Sequence, residues 1–396
     1  MIRNMSVKGF KSLILDEPIE LGRVNCFIGA NGVGKSNILE ALGVLGAAAN
    51  GVVDDESLMR RGVRAGVPKL YKSSFASERT PTHIGIDITN DIGASYGVSL
   101  LNPLGSPEPA WTYKSESLFN YNEAIIANGA RSKINLNPRA GLAALKLVEL
   151  APDNAASKLM QALQEYAIYC PNTPTLRGIS PDQQARDPLG LSGGNLAEAF
   201  NALQEHLNGI PDLGEDILEQ VIELIDWVSD IEVVSQAGSL LSPQVPRTKK
   251  LIKFTDRFMT KSRNELTAYD ASEGALYVLF TAVLCLLPKA PKVFAIDNLD
   301  QALNPRLLAR LTSHLSQWLQ VNDDSRQLLF TAHNPAVLDG LDLTDPEVRL
   351  FAVERNSNGL TRVRRIELTE KLQQMSEDFP LSRLWLMGHL GAVPNV

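Results

Sequence analysis

Apolar positions in this chain fall into two kinds of run. Short stretches bounded by turn residues recur at 24–28, 292–296, 327–331 and 348–354, the length and composition of buried strands. Residues 1–13 and 17–28 read as two strands leading into a glycine-rich loop. Residues 83–89 and 94–101 alternate as a hairpin around Asn90-Asp91-Ile92-Gly93. The Pro/Gly-rich stretch 102–110 reads as a loop, and 250–258 with 265–269 as a second hairpin. Helical spacing begins at Asn37 and recurs at 141–165, 196–228 and 307–319, while 274–287 is apolar nearly all round, as in a buried helix. Neither heptads nor an internal repeat is evident. The pattern predicts an α/β chain in three parts: an N-terminal lobe at 1–110, a mainly helical insertion at 111–245, and a C-terminal lobe at 246–396.

The glycine-rich loop changes the picture most. Gly29-Ala30-Asn31-Gly32-Val33-Gly34-Lys35-Ser36 fits G-x-x-x-x-G-K-[ST] without mismatch. A strand precedes it and a helix follows, the context in which backbone N–H groups and the helix dipole face a phosphate. Asn31, Gly32, Val33 and Gly34 would cradle the phosphates of ATP. Lys35 would reach the β- and γ-phosphates, and Ser36 would ligate Mg²⁺.

Composition narrows the class. The 396 residues are 44% hydrophobic and 21% charged, with a net charge of −7, so any nucleic-acid contact has to be local. Cys26, Cys170 and Cys285 are far apart with no metal spacing, which suits a reducing cytoplasm. The N-terminus lacks the apolar core of a signal peptide, and no apolar run is long enough for a membrane span.

A phosphate loop needs a metal-holding carboxylate at the end of a second buried strand. Val293-Phe294-Ala295-Ile296-Asp297 supplies it. Ser272-Glu273-Gly274 opens the buried helix ahead of it, Asp300 follows it, and His333 stands just past the strand at 328–331. Phosphate loop, Ser-x-Gly, strand-end Asp and strand-end His, in that order, resemble the two-lobed ABC-type ATPase head. The similarity is greatest to the heads of SMC and RecF proteins and to the OLD-like ATPases of bacterial anti-phage defence. The opening Val7-Lys8-Gly9-Phe10-Lys11-Ser12 resembles the first strand of SMC heads. The resemblance implies a mixed sheet around the phosphate-loop helix, with Lys11 and Ser12 near the nucleotide and Asp297 as second Mg²⁺ ligand. It further implies that His333 is a γ-phosphate switch, and that Ser272 and Gly274 form a signature offered to a second copy of the chain. ATP would then drive homodimerisation.

Several features depart from that pattern. Asn298 stands where such heads carry a glutamate general base. An amide orients water but accepts no proton, so hydrolysis is slow, is assisted by Asp300, or is secondary to a structural role for ATP. Leu191-Ser192-Gly193-Gly194-Asn195 looks like a signature but lies 105 residues before Asp297, and reads as the start of the helix that follows. The first glutamine after the loop, Gln161, gives no clear inter-lobe glutamine. The basic segment 247–263 suits a phosphate backbone, an acidic partner or a solvated hairpin edge. The 63 residues after His333 leave no room for a nuclease domain, so an effector is expected on a separate chain. The function these expectations describe is an ATP-sandwiching ATPase that controls such an effector in defence. A RecF-like DNA-binding ATPase and a nucleotide-stabilised scaffold are the alternatives.

Overall fold

The computed structural model describes residues 1–75, 81–127, 137–210, 212–235, 240–242, 249–323 and 325–391. At its centre lies a six-stranded mixed sheet. Its order is Thr361–Ile366, Val348–Arg355, Val24–Ile28, Gln327–Ala332, Val293–Ile296 and Ile168–Tyr169. All neighbours run parallel except the first pair. Successive residues of these strands enter opposite cores. Cys26, Phe294, Phe330 and Leu350 face the core of the C-terminal helices, while Phe27, Ala295, Leu329 and Phe351 face that of the N-terminal lobe. Burial on both faces explains the unbroken apolar runs. The rings of Phe27 and Phe351 stack at 4.9 Å across adjacent strands.

Helix Lys35–Ala49, backed by helix Ala155–Glu165, covers one face, and the apolar helix Glu273–Leu286 packs in the other core. A seven-stranded antiparallel sheet built on Ile2–Phe10 completes the N-terminal lobe. Gln327 stitches the two sheets together. It is fully buried, accepts Ile2 N–H at 3.0 Å, and donates to the carbonyls of Ile2 at 2.8 Å and Gly22 at 2.6 Å.

The stretch 111–245 differs from its helical expectation. Thr112–Asn120 and Glu123–Ile126 extend the antiparallel sheet, Ile168–Tyr169 joins the central sheet, and Val228–Val234 pairs with Leu251–Asp256. A register shift beside Ser99 and Leu100 hid the first of these strands, because it turns both Tyr113 and Glu116 inward. Glu116 is satisfied there by Tyr96 Oη at 2.9 Å and Leu142 N–H at 2.7 Å. The two long expected helices are each broken. Asn154 caps a new helix through Ala156 N–H, and Gly209 ends Leu196–Asn208 before Leu213–Glu223 begins. The β-branched run Val228, Ile231, Val233, Val234 then takes strand geometry.

Replacing Gln327 by Ala removes three hydrogen bonds to buried backbone groups, of which Gly22 O keeps a second, from Asn25 Nδ2 at 2.7 Å. Unfolding free energy is expected to fall by about 3 kcal/mol, measured by urea denaturation.

Candidate nucleotide site

The phosphate loop leaves strand Val24–Ile28 through Gly29, with φ 151, and turns at Gly32 and Gly34, with φ 76 and 111. Asn31 and Gly32 are exposed at its crest, while Val33 is buried. A β-carbon on Gly34 would fall 2.2 Å from Thr361 Oγ1 and 2.7 Å from Ser12 Oγ, so only glycine fits this left-handed position. Helix Lys35–Ala49 starts here with no acid in its first turn, leaving its positive end unopposed.

Four of the expected site residues converge above this loop. Lys35 Nζ donates to the carbonyls of Gly29 at 2.8 Å and Ala30 at 3.0 Å, and lies 3.4 Å from His333 Nδ1. Ser36 Oγ donates to Asp297 Oδ1 at 3.0 Å. Burial pulls the Lys35 ammonium down to about 8, against the attraction of Asp297 and Asp300. Burial, then Lys35 beside it, also lowers His333, which favours the neutral ring. With Nδ1 facing an ammonium, the ring proton sits on Nε2, a donor suited to a phosphate oxygen.

Thr331, which sequence reasoning missed, organises the carboxylate. Its hydroxyl donates to Asp297 Oδ1 at 2.6 Å and accepts Asn298 N–H at 2.8 Å. The available signal was a lone hydroxyl in an apolar run, two positions before His333. Asn298 has φ 61, a left-handed conformation that asparagine tolerates better than most residues. Asp300 Oδ2 accepts the N–H groups of His333 at 3.0 Å and Asn334 at 2.7 Å, while its Oδ1 is buried without a hydrogen-bond partner among the described residues. The carboxylate therefore holds the turn that carries the histidine.

Lys11 and Ser12 lie under the loop. Ser12 Oγ is 2.6 Å from Thr361 Oγ1 and accepts from Asn37 Nδ2 at 2.9 Å; Thr361 Oγ1 in turn donates to Val33 O at 2.6 Å. Lys11 pairs with the buried Glu40, which also takes Arg64 Nε at 2.5 Å. Burial lowers the Lys11 ammonium, and the Glu40 hydrogen bond raises Arg64.

Ser272 caps helix Glu273–Leu286, its hydroxyl accepting Ala275 N–H at 3.4 Å, and it is exposed. Among the described residues it makes no hydrogen bond to its own phosphate loop. Gly274 sits against Ala302 O and the Leu307 side chain, both within 3.4 Å of where a β-carbon would be. The look-alike at 191–195 does begin a helix. Its N–H groups on Ser192 and Gly194 are filled by Asp182 Oδ2, at 2.8 and 3.1 Å. Gln161 is exposed and bonds Glu165. The strand end beside Asp297 carries Cys170 instead: Asp297 N–H donates to Tyr169 O at 2.9 Å. Burial, then Asp297, pushes the Cys170 thiol up.

The basic segment does not form one track. Arg247 lies outside the described residues. Lys249 and Lys250 stand at one end of strand Leu251–Asp256, and Arg257, Lys261 and Arg263 at or beyond the other. Lys253, midway, is engaged by Glu232 at 2.7 Å and Glu265 at 2.9 Å.

The donor set suits a hard divalent cation with phosphate. Ser36 and Asp297 offer adjacent oxygens, and Lys35 with the loop N–H groups would balance the nucleotide's charge. If Thr331 orients Asp297, Thr331→Val is expected to weaken Mg²⁺-dependent nucleotide binding about 10- to 100-fold, with Thr331→Ser near wild type, read by Mg²⁺ titration with a fluorescent ATP.

Comparison with known proteins agrees with this fold. The fold resembles a solved SMC head bound to the C-terminal winged-helix domain of ScpA. The identity is 16%, the TM-score 0.52, and coverage 94% of this chain and 99% of that one. It also resembles an SMC head with an extended coiled coil, bound to the C-terminal domain of ScpA derived from Pyrococcus furiosus. There the identity is 13%, the TM-score 0.51, and coverage 95% and 98%. No curated protein matches the chain. Among the described residues no helix is long and apolar enough to cross a membrane. The family described as "AAA domain, putative AbiEii toxin, Type IV TA system" matches residues 24–130 and 195–339, well over half of the chain, and the chain therefore belongs to this family of ATPase-type domains with an SMC-head fold.

Proposed function

We propose that this chain binds ATP and Mg²⁺ between two copies of itself, and that the closed assembly controls a separate effector protein in bacterial defence. One observation carries the sandwich. Lys35, Ser36, Asp297 and His333 converge, while Ser272 stands exposed at the N-terminus of a 14-residue helix with no bond to them. A serine and a helix dipole so placed are suited to the γ-phosphate held by a second copy. The matched family's description, with its toxin and Type IV TA system, favours a defence role. The resemblance to OLD-like ATPases points the same way. A similar SMC head was solved bound to a domain of another protein, which favours work through a partner.

Turnover is slow in this reading. Asn298 cannot accept a proton, and Asp300 has one oxygen on two N–H groups and the other buried. ATP then serves chiefly to fasten the assembly. The division of the basic segment between two ends of a hairpin speaks against a continuous DNA track.

In sedimentation velocity, the wild-type protein is expected to dimerise or assemble further with Mg²⁺ and a slowly hydrolysed ATP analogue, while Lys35→Ala does not. Co-purification with the products of neighbouring genes, with and without ATP, tests the effector. Stable nucleotide-bound assemblies that capture no neighbour product under any nucleotide condition would exclude that part.

A further inference from the structure

Strands Leu251–Asp256 and Glu265–Thr267 are joined by a tip whose residues 257–263 are all exposed. The tip is a built turn. Asp256 Oδ1 accepts the N–H groups of Phe258 at 2.7 Å and Met259 at 2.9 Å, Arg263 N–H reaches Thr260 O at 2.8 Å, and Asp256 N–H reaches Asn264 O at 2.8 Å. This frame holds Phe258 at 78% and Met259 at 43% exposure. Lys261 and Arg263 flank them, and neither forms a salt bridge among the described residues.

The neighbouring element carries the opposite charge. From 212 to 226 the chain has Asp212, Glu215, Asp216, Glu219, Glu223 and Asp226, with no Lys or Arg. All six are exposed, and none forms a salt bridge among the described residues. Glu215, Glu219 and Glu223 follow one another at helical i, i+4 spacing, where like charges destabilise a helix. Leu213, 43% exposed, adds an apolar position at the start of the same helix. The two patches adjoin, since Arg257 N–H donates to Trp227 O at 2.9 Å. Their charges nonetheless do not pair with one another among the described residues.

Adjacent patches of opposite charge on one subunit are self-complementary under a two-fold axis, each tip meeting the other copy's helix. Aromatic, Met and Arg side chains are the types enriched in interface cores. A phosphate backbone would instead meet the six carboxylates beside the tip. We propose that this tip and helix Leu213–Glu223 form a second self-association surface, used without nucleotide, in which Phe258, Met259, Lys261 and Arg263 of one copy dock on the acidic helix of another. The surface is independent of the ATP sandwich and would link sandwiched pairs into larger assemblies. It also leads to the signature. Glu265–Thr267 runs into a turn closed by Thr267 Oγ1 to Asp270 Oδ2 at 3.0 Å, and Ser272 follows.

The test uses the full chain carrying Lys35→Ala, without nucleotide, so that failure of the sandwich reading cannot disguise the result. Sedimentation velocity should show a dimer favoured by low salt. K261E/R263E and E215K/E219K, made separately, should each weaken it at least about tenfold. Combining the two reversals should restore association to within a few-fold, and Phe258→Ser should weaken it with the charges intact. A protein that stays monomeric at low salt, an association that ignores both reversals, or a combined variant that does not reassociate would overturn the proposal.

Discussion

The site depends on one carboxylate held by two hydroxyls. Asp297 ends strand Val293–Ile296, Ser36 belongs to the helix after the phosphate loop, and Thr331 belongs to the strand between them. These groups lie in distant parts of the chain and meet only because Gln327–Ala332 runs parallel between Val24–Ile28 and Val293–Ile296. Parallel order puts the carboxyl ends of all three strands on one edge, where such sheets form their crevices. Burial on both faces fixes the register, because a one-residue slip would exchange the residues of the two cores. The chemistry of the edge is therefore a consequence of packing in the middle of the sheet.

Much of this was legible in the sequence. The loop Gly29–Ser36, the strand ending at Asp297 and the buried helix after Ser272 each carry a local signal: glycine spacing, an apolar run, or all-round hydrophobicity. The structure brings Asp297 and His333 to the loop, as the resemblance to ATPase heads implied. What stayed hidden depends on contacts between distant segments. Nothing local marks Thr331 as a clamp or Thr361 as a brace under Gly34, because Thr331 acts on Asp297 34 positions away and Thr361 on Val33 328 positions away. Lys11 and Ser12, expected beside the nucleotide, meet Glu40, Asn37 and Thr361 next to the phosphate loop. The strand Thr112–Asn120 was obscured by its own bulge, which places a buried glutamate where alternation calls for an apolar residue.

The same packing sets where Ser272 stands. Helix Glu273–Leu286 is committed along its length to the C-terminal core, and its N-terminus emerges at the surface with Ser272 free of the loop. In the proposed sandwich, a second molecule closes the site. In the proposed reading, Asn298 in the left-handed conformation and the Asp300 carboxylate committed to the His333 turn favour holding ATP over rapid proton transfer.

The most direct test of a shared site is complementation between two defective chains. Lys35→Ala removes the phosphate-loop cation, and Ser272→Arg blocks the proposed signature turn. In a sandwich, each site takes its lysine from one copy and its serine from the other. Each variant alone should therefore fail to form an ATP-dependent dimer, while an equimolar mixture rebuilds one intact site and sediments as a dimer with the ATP analogue. A Ser272→Arg protein that dimerises with ATP like the wild type, or a mixture no better than its components, would contradict the shared site.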